Sequence, residues 1–267
     1  AKLIKTDVRI FPDGESKLTL SEKPTKHCIV VQATYPPVDT NLIQALSLIT
    51  KAREHSSDIT AIIPYMGYAR QDREFLSGEI VTMKSIAKLF KGAGVRKLIV
   101  VDIHSKIALA HFKIKTKNVS AISNLVRHFS AIKLKDPLVV SPDQGGKHRA
   151  EEFAKKLNVD YIALSKKRDR KTGKVTIQNE AIHEVKGRDL ILVDDMISTG
   201  GSIIKATQFL KKQKCKRVYV ACTHALLMND AEKKIRKAGV TKIVSTNTIP
   251  GKTAIVDVSD TIAKAIV

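Results

Sequence analysis

Four apolar residues, Leu190-Ile191-Leu192-Val193, run straight into two adjacent carboxylates, Asp194 and Asp195. Met196-Ile197-Ser198-Thr199-Gly200-Gly201-Ser202 follows, and Ile203 to Leu210 then continues at helical spacing. A short apolar run, an acidic tip, a small-residue turn and an amphipathic stretch describe a buried strand that feeds the N-terminus of a helix. Backbone N–H groups and hydroxyls at such a junction form a cradle for an anion. Two glycines let the backbone close around a phosphate with no Cβ in the way. The two acids would repel that phosphate, so they suit a polyol or a bound cation beside it. A phosphate next to neighbouring hydroxyls describes a sugar phosphate, and ribose 5-phosphate fits.

The same strand-then-helix alternation recurs along the chain. Strands are expected at 28–32, 59–63, 97–101, 138–140, 161–164, 190–193, 217–221 and 242–244, with helices at 41–53, 82–91, 121–129, 147–157, 202–212 and 231–237. Such alternation predicts an α/β fold with mainly parallel sheets. With 267 residues the chain is long enough for two domains. Patterning is weakest near Ser130–Pro137, which places the expected boundary there: residues 1–130 and 131–256, with a short C-terminal helix within 257–267.

Three cysteines, Cys28, Cys215 and Cys222, have no metal spacing and sit in or beside apolar runs, which favours a reduced, cytoplasmic setting. No apolar run approaches the ~18 residues of a membrane span, and the first residues lack a signal-peptide pattern. The formal net charge is +21, which suits nucleic acid, polyphosphate substrates or a solvated lysine surface. Aromatic residues make up 4% of the chain and none is Trp, so base-stacking platforms are scarce, which counts against nucleic acid.

Two nucleotide motifs are excluded. Gly251-Lys252-Thr253 resembles the end of a P-loop, but Thr246 stands where its first glycine belongs. Gly92-Ala93-Gly94 is followed by Lys97 where a dinucleotide fingerprint needs Gly or Ala. Four other segments carry chemistry. Phe11-Pro12-Asp13-Gly14-Glu15 is a tight turn with an aromatic face and two acids. Arg70-Gln71-Asp72-Arg73 offers two arginines suited to polyphosphate. Asp102-Ile103-His104 puts an acid and an imidazole on one side of an extended segment, which suits Mg²⁺ or phosphate. Ser141-Pro142-Asp143-Gln144-Gly145-Gly146 supplies an acid for Mg²⁺ and a glycine pair for pyrophosphate. Each of these, taken alone, is also compatible with an ordinary surface loop.

In order, and along nearly the whole chain, these five motifs resemble those of the ribose-phosphate diphosphokinases (PRPP synthases), whereas phosphoribosyltransferases share only the Asp-Asp loop. Pro36-Pro37-Val38-Asp39 and Ala221-Cys222-Thr223-His224 resemble the same family. The resemblance implies two type I phosphoribosyltransferase-like domains, each a mainly parallel sheet flanked by helices. It implies transfer of the diphosphoryl group of ATP to the 1-hydroxyl of ribose 5-phosphate, with Mg²⁺ as cofactor. Position by position, Phe11, Asp13 and Glu15 would hold the adenosine of ATP, reaching in from a neighbouring subunit of a homo-oligomer. Arg70, Gln71 and His104 would also bind ATP, and His104 and Asp143 would sit at Mg²⁺. Asp194 and Asp195 would hold the ribose hydroxyls of ribose 5-phosphate, and Ser198, Thr199, Gly200, Gly201 and Ser202 its 5-phosphate. Lys166 and Arg168, on a basic loop, would close over the transferring group as catalytic residues.

The chain departs from that pattern in three places. Little sequence precedes Phe11 and the chain begins at Ala1, which is expected to reflect a truncated N-terminus. Lys167 stands where the family has arginine, and Ser165 where it has an acid. The loop that follows, Asp169 to Lys174, is unusually basic.

Overall fold

A computed structural model describes residues 2–168, 175–178 and 185–266, with the backbone alone described at 166–168 and 175–178. Within it the chain divides into two compact units, Ala1–Val119 with Ser259–Val267, and Ser120–Val258.

The first unit opens with an antiparallel hairpin, β1 (Thr6–Ile10) and β2 (Ser16–Leu20). Four parallel strands follow: β3 (His27–Val31), β4 (Asp58–Ile63), β5 (Lys97–Val101) and β6 (Lys115–Val119), in that spatial order. Right-handed connection of parallel strands requires crossovers, and α1 (Val38–Arg53), α2 (Thr82–Gly92) and α3 (Lys106–Ala110) supply them. The α1 helix buries Leu42, Ala45, Ile49 and Ala52, one stripe at helical spacing, against Ile59, Ala61 and Ile63 of β4. Phe90 of α2 meets Phe112 edge-on at 6.0 Å.

In the second unit come α4 (Ile122–Ser130), β7 (Leu138–Ser141), a 3-10 turn over Gln144–Gly146, α5 (Lys147–Leu157) and β8 (Tyr161–Ala163). Next are β9 (Ser165–Arg168) and β10 (Val175–Gln178), then β11 (Asp189–Ile197), α6 (Gly201–Lys212) and β12 (Arg217–Ala225). The unit ends with α7 (Ala231–Lys237), β13 (Lys242–Thr246) and β14 (Ala254–Val256). Six strands form one parallel sheet in the order β14-β13-β12-β11-β7-β8. Successive residues of β11 alternate between its faces. Leu190 and Leu192 pack with Leu138, Val140, Val218 and Val220 under Ile203 and Leu210 of α6. Ile191 and Val193 pack with Val139, Tyr219, Phe129 and Phe153 under α4 and α5. Burial on both faces explains the unbroken apolar run.

The expected break after residue 130 lies further along than the division in the structure, because α4 packs on α5, β12, β13 and β14. The α8 helix (Ser259–Ile266) lies in the first unit, on β5 and β6, where Lys97 Nζ donates to the carbonyls of Ala265 at 2.8 Å and Ile266 at 2.9 Å. The hairpin β1–β2, helix α3, strands β6, β9 and β10 and the short β14 are additional to the expected elements. No helix among the described residues is long and apolar enough to cross a membrane.

Candidate active site

Polar residues gather at the carboxyl ends of the parallel strands, where open α/β sheets place their ligands. In the second unit β11 continues past the buried run, so Asp194 and Asp195 are its sixth and seventh residues. Their side chains use the backbone at once: Asp194 Oδ1 accepts the N–H of Asp195 at 2.9 Å, and Asp195 Oδ1 accepts that of Met196 at 2.9 Å. Asp195 is buried and Asp194 partly so. Burial and the neighbouring Asp195 charge hold the Asp194 carboxyl well above its usual range. The nearby Arg149 guanidinium pulls the other way. Its Nη1 lies 3.6 Å from Asp194 Oδ1 and its Nη2 3.5 Å from Asp195 Oδ2.

Beyond Ile197 the chain bends through Ser198 and Thr199 into α6. Gly200 sits at φ +77 in the left-handed region, and a Cβ there would lie 2.7 Å from Ile235 Cδ1. Glycine is therefore demanded both by conformation and by the close approach of α7. A Cβ on Gly201 meets nothing within 4 Å, which leaves open space in front of the helix start. The first-turn amides of an α-helix have no partner four residues back, and the helix dipole adds positive potential there. Ser198, Thr199, Gly201 and Ser202 are all at least partly exposed at this mouth. The acid pair and the open helix start are thus consecutive on one strand–helix connection.

Asp143 caps the turn after β7, with Oδ1 accepting the Gly146 N–H at 3.3 Å. The expected pair of phosphate-binding glycines divides its work. A Cβ on Gly146 would lie 2.6 Å from Ser141 Oγ, so this buried glycine serves packing. Gly145 remains exposed.

In the first unit Arg70 and Gln71 are exposed on the segment after β4. The two arginines expected to suit polyphosphate differ in their surroundings. Arg73 is held by the buried Asp72, through Nε at 3.1 Å and Nη2 at 2.9 Å. Ser105, which caps α3, also donates to Asp72 Oδ2, and His111 Nε2 lies 2.7 Å from the Asp72 carbonyl. Arg73 and Ser105 hold the Asp72 carboxyl down at about 2. Asp72 therefore joins the Arg70 segment to the His104 segment, and His104 is exposed. One correction concerns the extended segment expected at Asp102-Ile103-His104. β5 stops at Val101 and Asp102 turns to φ +37, so strand alternation does not set the directions of Asp102 and His104.

Phe11 to Glu15 form the tip of the β1–β2 hairpin, closed by Phe11 N–H to Glu15 O at 2.8 Å and Gly14 N–H to Phe11 O at 2.9 Å. Asp13 and Glu15 are exposed, and the Arg9 guanidinium lies 5.3 Å from the Phe11 ring centre. Gln44 Nε2 of α1 holds the hairpin by donating to Ser16 Oγ at 3.0 Å. Lys166 and Arg168 lie on β9, whose backbone pairs antiparallel with β10, Lys166 opposite Ile177 and Arg168 opposite Val175. Their side chains, and the loop 169–174, lie outside the described residues.

Arg149 and Asp72 are the two residues of these constellations to which the sequence alone assigns no role. The signal for Arg149 is its place in the first turn of α5, close behind the glycine pair. For Asp72 it is a carboxylate between two arginines. No group of three or more His, Cys, Asp and Glu side chains able to hold a metal ion occurs among the described residues.

Comparison with known proteins matches both units. Residues 1–94 fit a family model described as the N-terminal domain of ribose phosphate pyrophosphokinase, and residues 109–261 fit one described as a phosphoribosyl transferase domain. A ribose-phosphate pyrophosphokinase of Sulfurisphaera tokodaii is 38% identical, covering 99% of this chain and 92% of the relative. That of Pyrococcus furiosus is 37% identical, covering 94% and 88%. The crystal structure of phosphoribosylpyrophosphate synthetase from Mycobacterium smegmatis superposes with a TM-score of 0.86 at 28% identity, covering 99% of this chain and 90% of that one. Alignment over nearly the full length of proteins that share this name and this two-domain architecture places the chain in the ribose-phosphate pyrophosphokinase family of enzymes.

Proposed function

We propose that the chain transfers the β,γ-diphosphoryl group of ATP to the 1-hydroxyl of ribose 5-phosphate, giving 5-phosphoribosyl 1-diphosphate and AMP. The observation that carries this reading is the β11–α6 junction, where an acid pair for hydroxyls adjoins an open helix start for a phosphate. Asp194 and Asp195 accept hydrogen bonds from the ribose hydroxyls. Ser198 to Ser202 wrap the 5-phosphate. The bond formed joins the ribose O1 to the β-phosphorus, the bond broken joins that phosphorus to the oxygen shared with the α-phosphate, and the hydroxyl proton passes to solvent. Catalysis of this type is mostly positioning and charge neutralisation. Arg70 and Gln71 bind ATP, with the arginine on its phosphates, and Lys166 and Arg168 neutralise charge on the transferring group.

Mg²⁺ is the proposed cofactor, and His104 and Asp143 are each proposed as metal-site residues. Sparse protein donors suit this ion, which takes one or two protein ligands and completes its shell with substrate phosphates and water. When bound, it offsets phosphate charge and acidifies the attacking hydroxyl. Phe11, Asp13 and Glu15 are assigned to the adenosine of ATP in a neighbouring subunit of a homo-oligomer. The exposure of Asp13 and Glu15 at a hairpin tip, and the exposure of all five residues of β1, support that assignment. Its proposed setting is the cytoplasm, in keeping with three cysteines that form no disulfide.

The test is to incubate the protein with ATP, ribose 5-phosphate and Mg²⁺, without any nucleobase, and to quantify AMP and 5-phosphoribosyl 1-diphosphate. Equimolar formation of both is expected. Absence of AMP, with consumption of 5-phosphoribosyl 1-diphosphate once a nucleobase is added, would instead identify a phosphoribosyltransferase.

A further inference from the structure

Two carboxylates on consecutive residues, one buried and one partly so, repel each other and favour taking up a proton between them. A protonated pair loses acceptor capacity for sugar hydroxyls. Each Oδ1 is already committed to a backbone N–H. The Arg149 guanidinium spans both carboxylates, at 3.6 Å from Asp194 and 3.5 Å from Asp195. These separations exceed the ~2.7–2.9 Å of a tight charge-assisted hydrogen bond, so the arginine acts on the pair chiefly as a charge. A guanidinium stays charged at every working pH. Its placement is built in. Asp143 caps the turn before α5, Gly146 leaves room for Ser141 Oγ and lies beside Arg149 Nη1, and Arg149 follows in the first helical turn. From β12 come the Cys222 thiol, which burial and the two carboxylates keep neutral, and His224, whose Nδ1 lies 2.9 Å from Thr248 Oγ1.

We propose that Arg149 is a positioning residue for sugar binding, holding Asp194 and Asp195 side by side as an acceptor pair for the vicinal hydroxyls of ribose 5-phosphate. This rests on the reading that those acids bind the sugar. Arg149 acts through the acids, not on the ligand, so its effect vanishes where the pair is already disarmed.

A double-mutant cycle on the full-length protein tests this, with ribose 5-phosphate affinity read by calorimetry for wild type, Arg149→Met, Asp195→Asn and the double variant. Each single change is expected to weaken binding roughly tenfold, and the double variant to lie near the single variants, not near their roughly hundredfold product. Arg149→Lys, which keeps a positive charge, should recover much of the loss, and ATP affinity should stay unchanged in all variants. Additive losses, or a lysine variant no better than methionine, would overturn the proposal, since a direct phosphate contact or a general packing role gives that result. Should Arg149→Met fail to unfold cooperatively, Arg149→Gln and Arg149→Lys carry the same cycle with Asp195→Asn. A wild type that binds no ribose 5-phosphate would remove the proposed function itself, a result distinct from additivity in a wild type that binds.

Discussion

Replacing Asp72 by Asn should loosen the ATP-side loops and lower stability in a pH-dependent way. The carboxyl is held at about 2, against an ordinary value of 3.8. At roughly 1.36 kcal/mol per unit, that difference corresponds to about 2 kcal/mol of folding free energy at neutral pH. Arg73 is half exposed, so solvent screening reduces the expected loss to roughly 1–2 kcal/mol. The sign follows from linkage. A depressed folded-state pKa stabilises fully above 3.8 and loses its contribution as pH falls through about 2. The gap between wild type and Asp72→Asn should therefore be full at pH 7 and reduced to roughly half near pH 3. Urea unfolding followed by circular dichroism at both pH values measures it. Because Asp72 ties the Arg70 segment to Ser105, next to His104, the variant should also raise the KM for ATP more than that for ribose 5-phosphate. An equal gap at both pH values, or none at pH 7, would refute the electrostatic account of this anchor.

Three further outcomes are expected. Gly200→Ala should destabilise the second unit by roughly 1–3 kcal/mol, since it sets an alanine at positive φ against Ile235, and adding Ile235→Val should return part of the loss in thermal unfolding. Lys166→Ala and Arg168→Ala should each lower kcat by about 10²–10³ with small changes in either KM, and steady-state kinetics showing normal kcat with a raised KM would assign them to binding. Mixing and reassembling two inactive variants, Phe11→Ala with Glu15→Ala and Asp195→Ala, should restore activity if the hairpin tip serves a neighbour's site. Mixed oligomers, verified by mass spectrometry, that stay inactive would confine Phe11 to its own subunit.

Legibility from sequence follows burial. β11, β12 and β7 lie inside a sheet covered on both faces, so their apolar runs announce them. β6, read Lys-Thr-Lys-Asn-Val, is an edge strand with one buried residue, and nothing in its composition separates it from a loop. β1 is exposed at every position and pairs only within its hairpin, so its periodicity carries no information. The end of β11 was hidden for a different reason. Asp194 and Asp195 read as a strand's stop, whereas β11 runs on to Ile197 beside β12, with Met196 opposite His224. The catalytic motifs are local and so are visible as strings. What remains invisible is partnership across the chain, such as Arg149 with the acid pair and Asp72 with Ser105, because those contacts depend on how helices close over the sheets.

The return of α8 to the first unit gives the chain an unusual order of completion. Residues 120–258 form an insertion, and both of its ends join the first unit covalently. During synthesis the insertion can finish folding while the first unit still lacks α8, since the helix that covers β5 and β6 emerges only after the insertion. Val101 and Ile99, buried in the finished fold, must wait for it. A protease that nicks the chain just before Ser259, or a frameshift there, would therefore strike the first unit, whose other residues were made before the insertion, and leave the insertion's sheet intact.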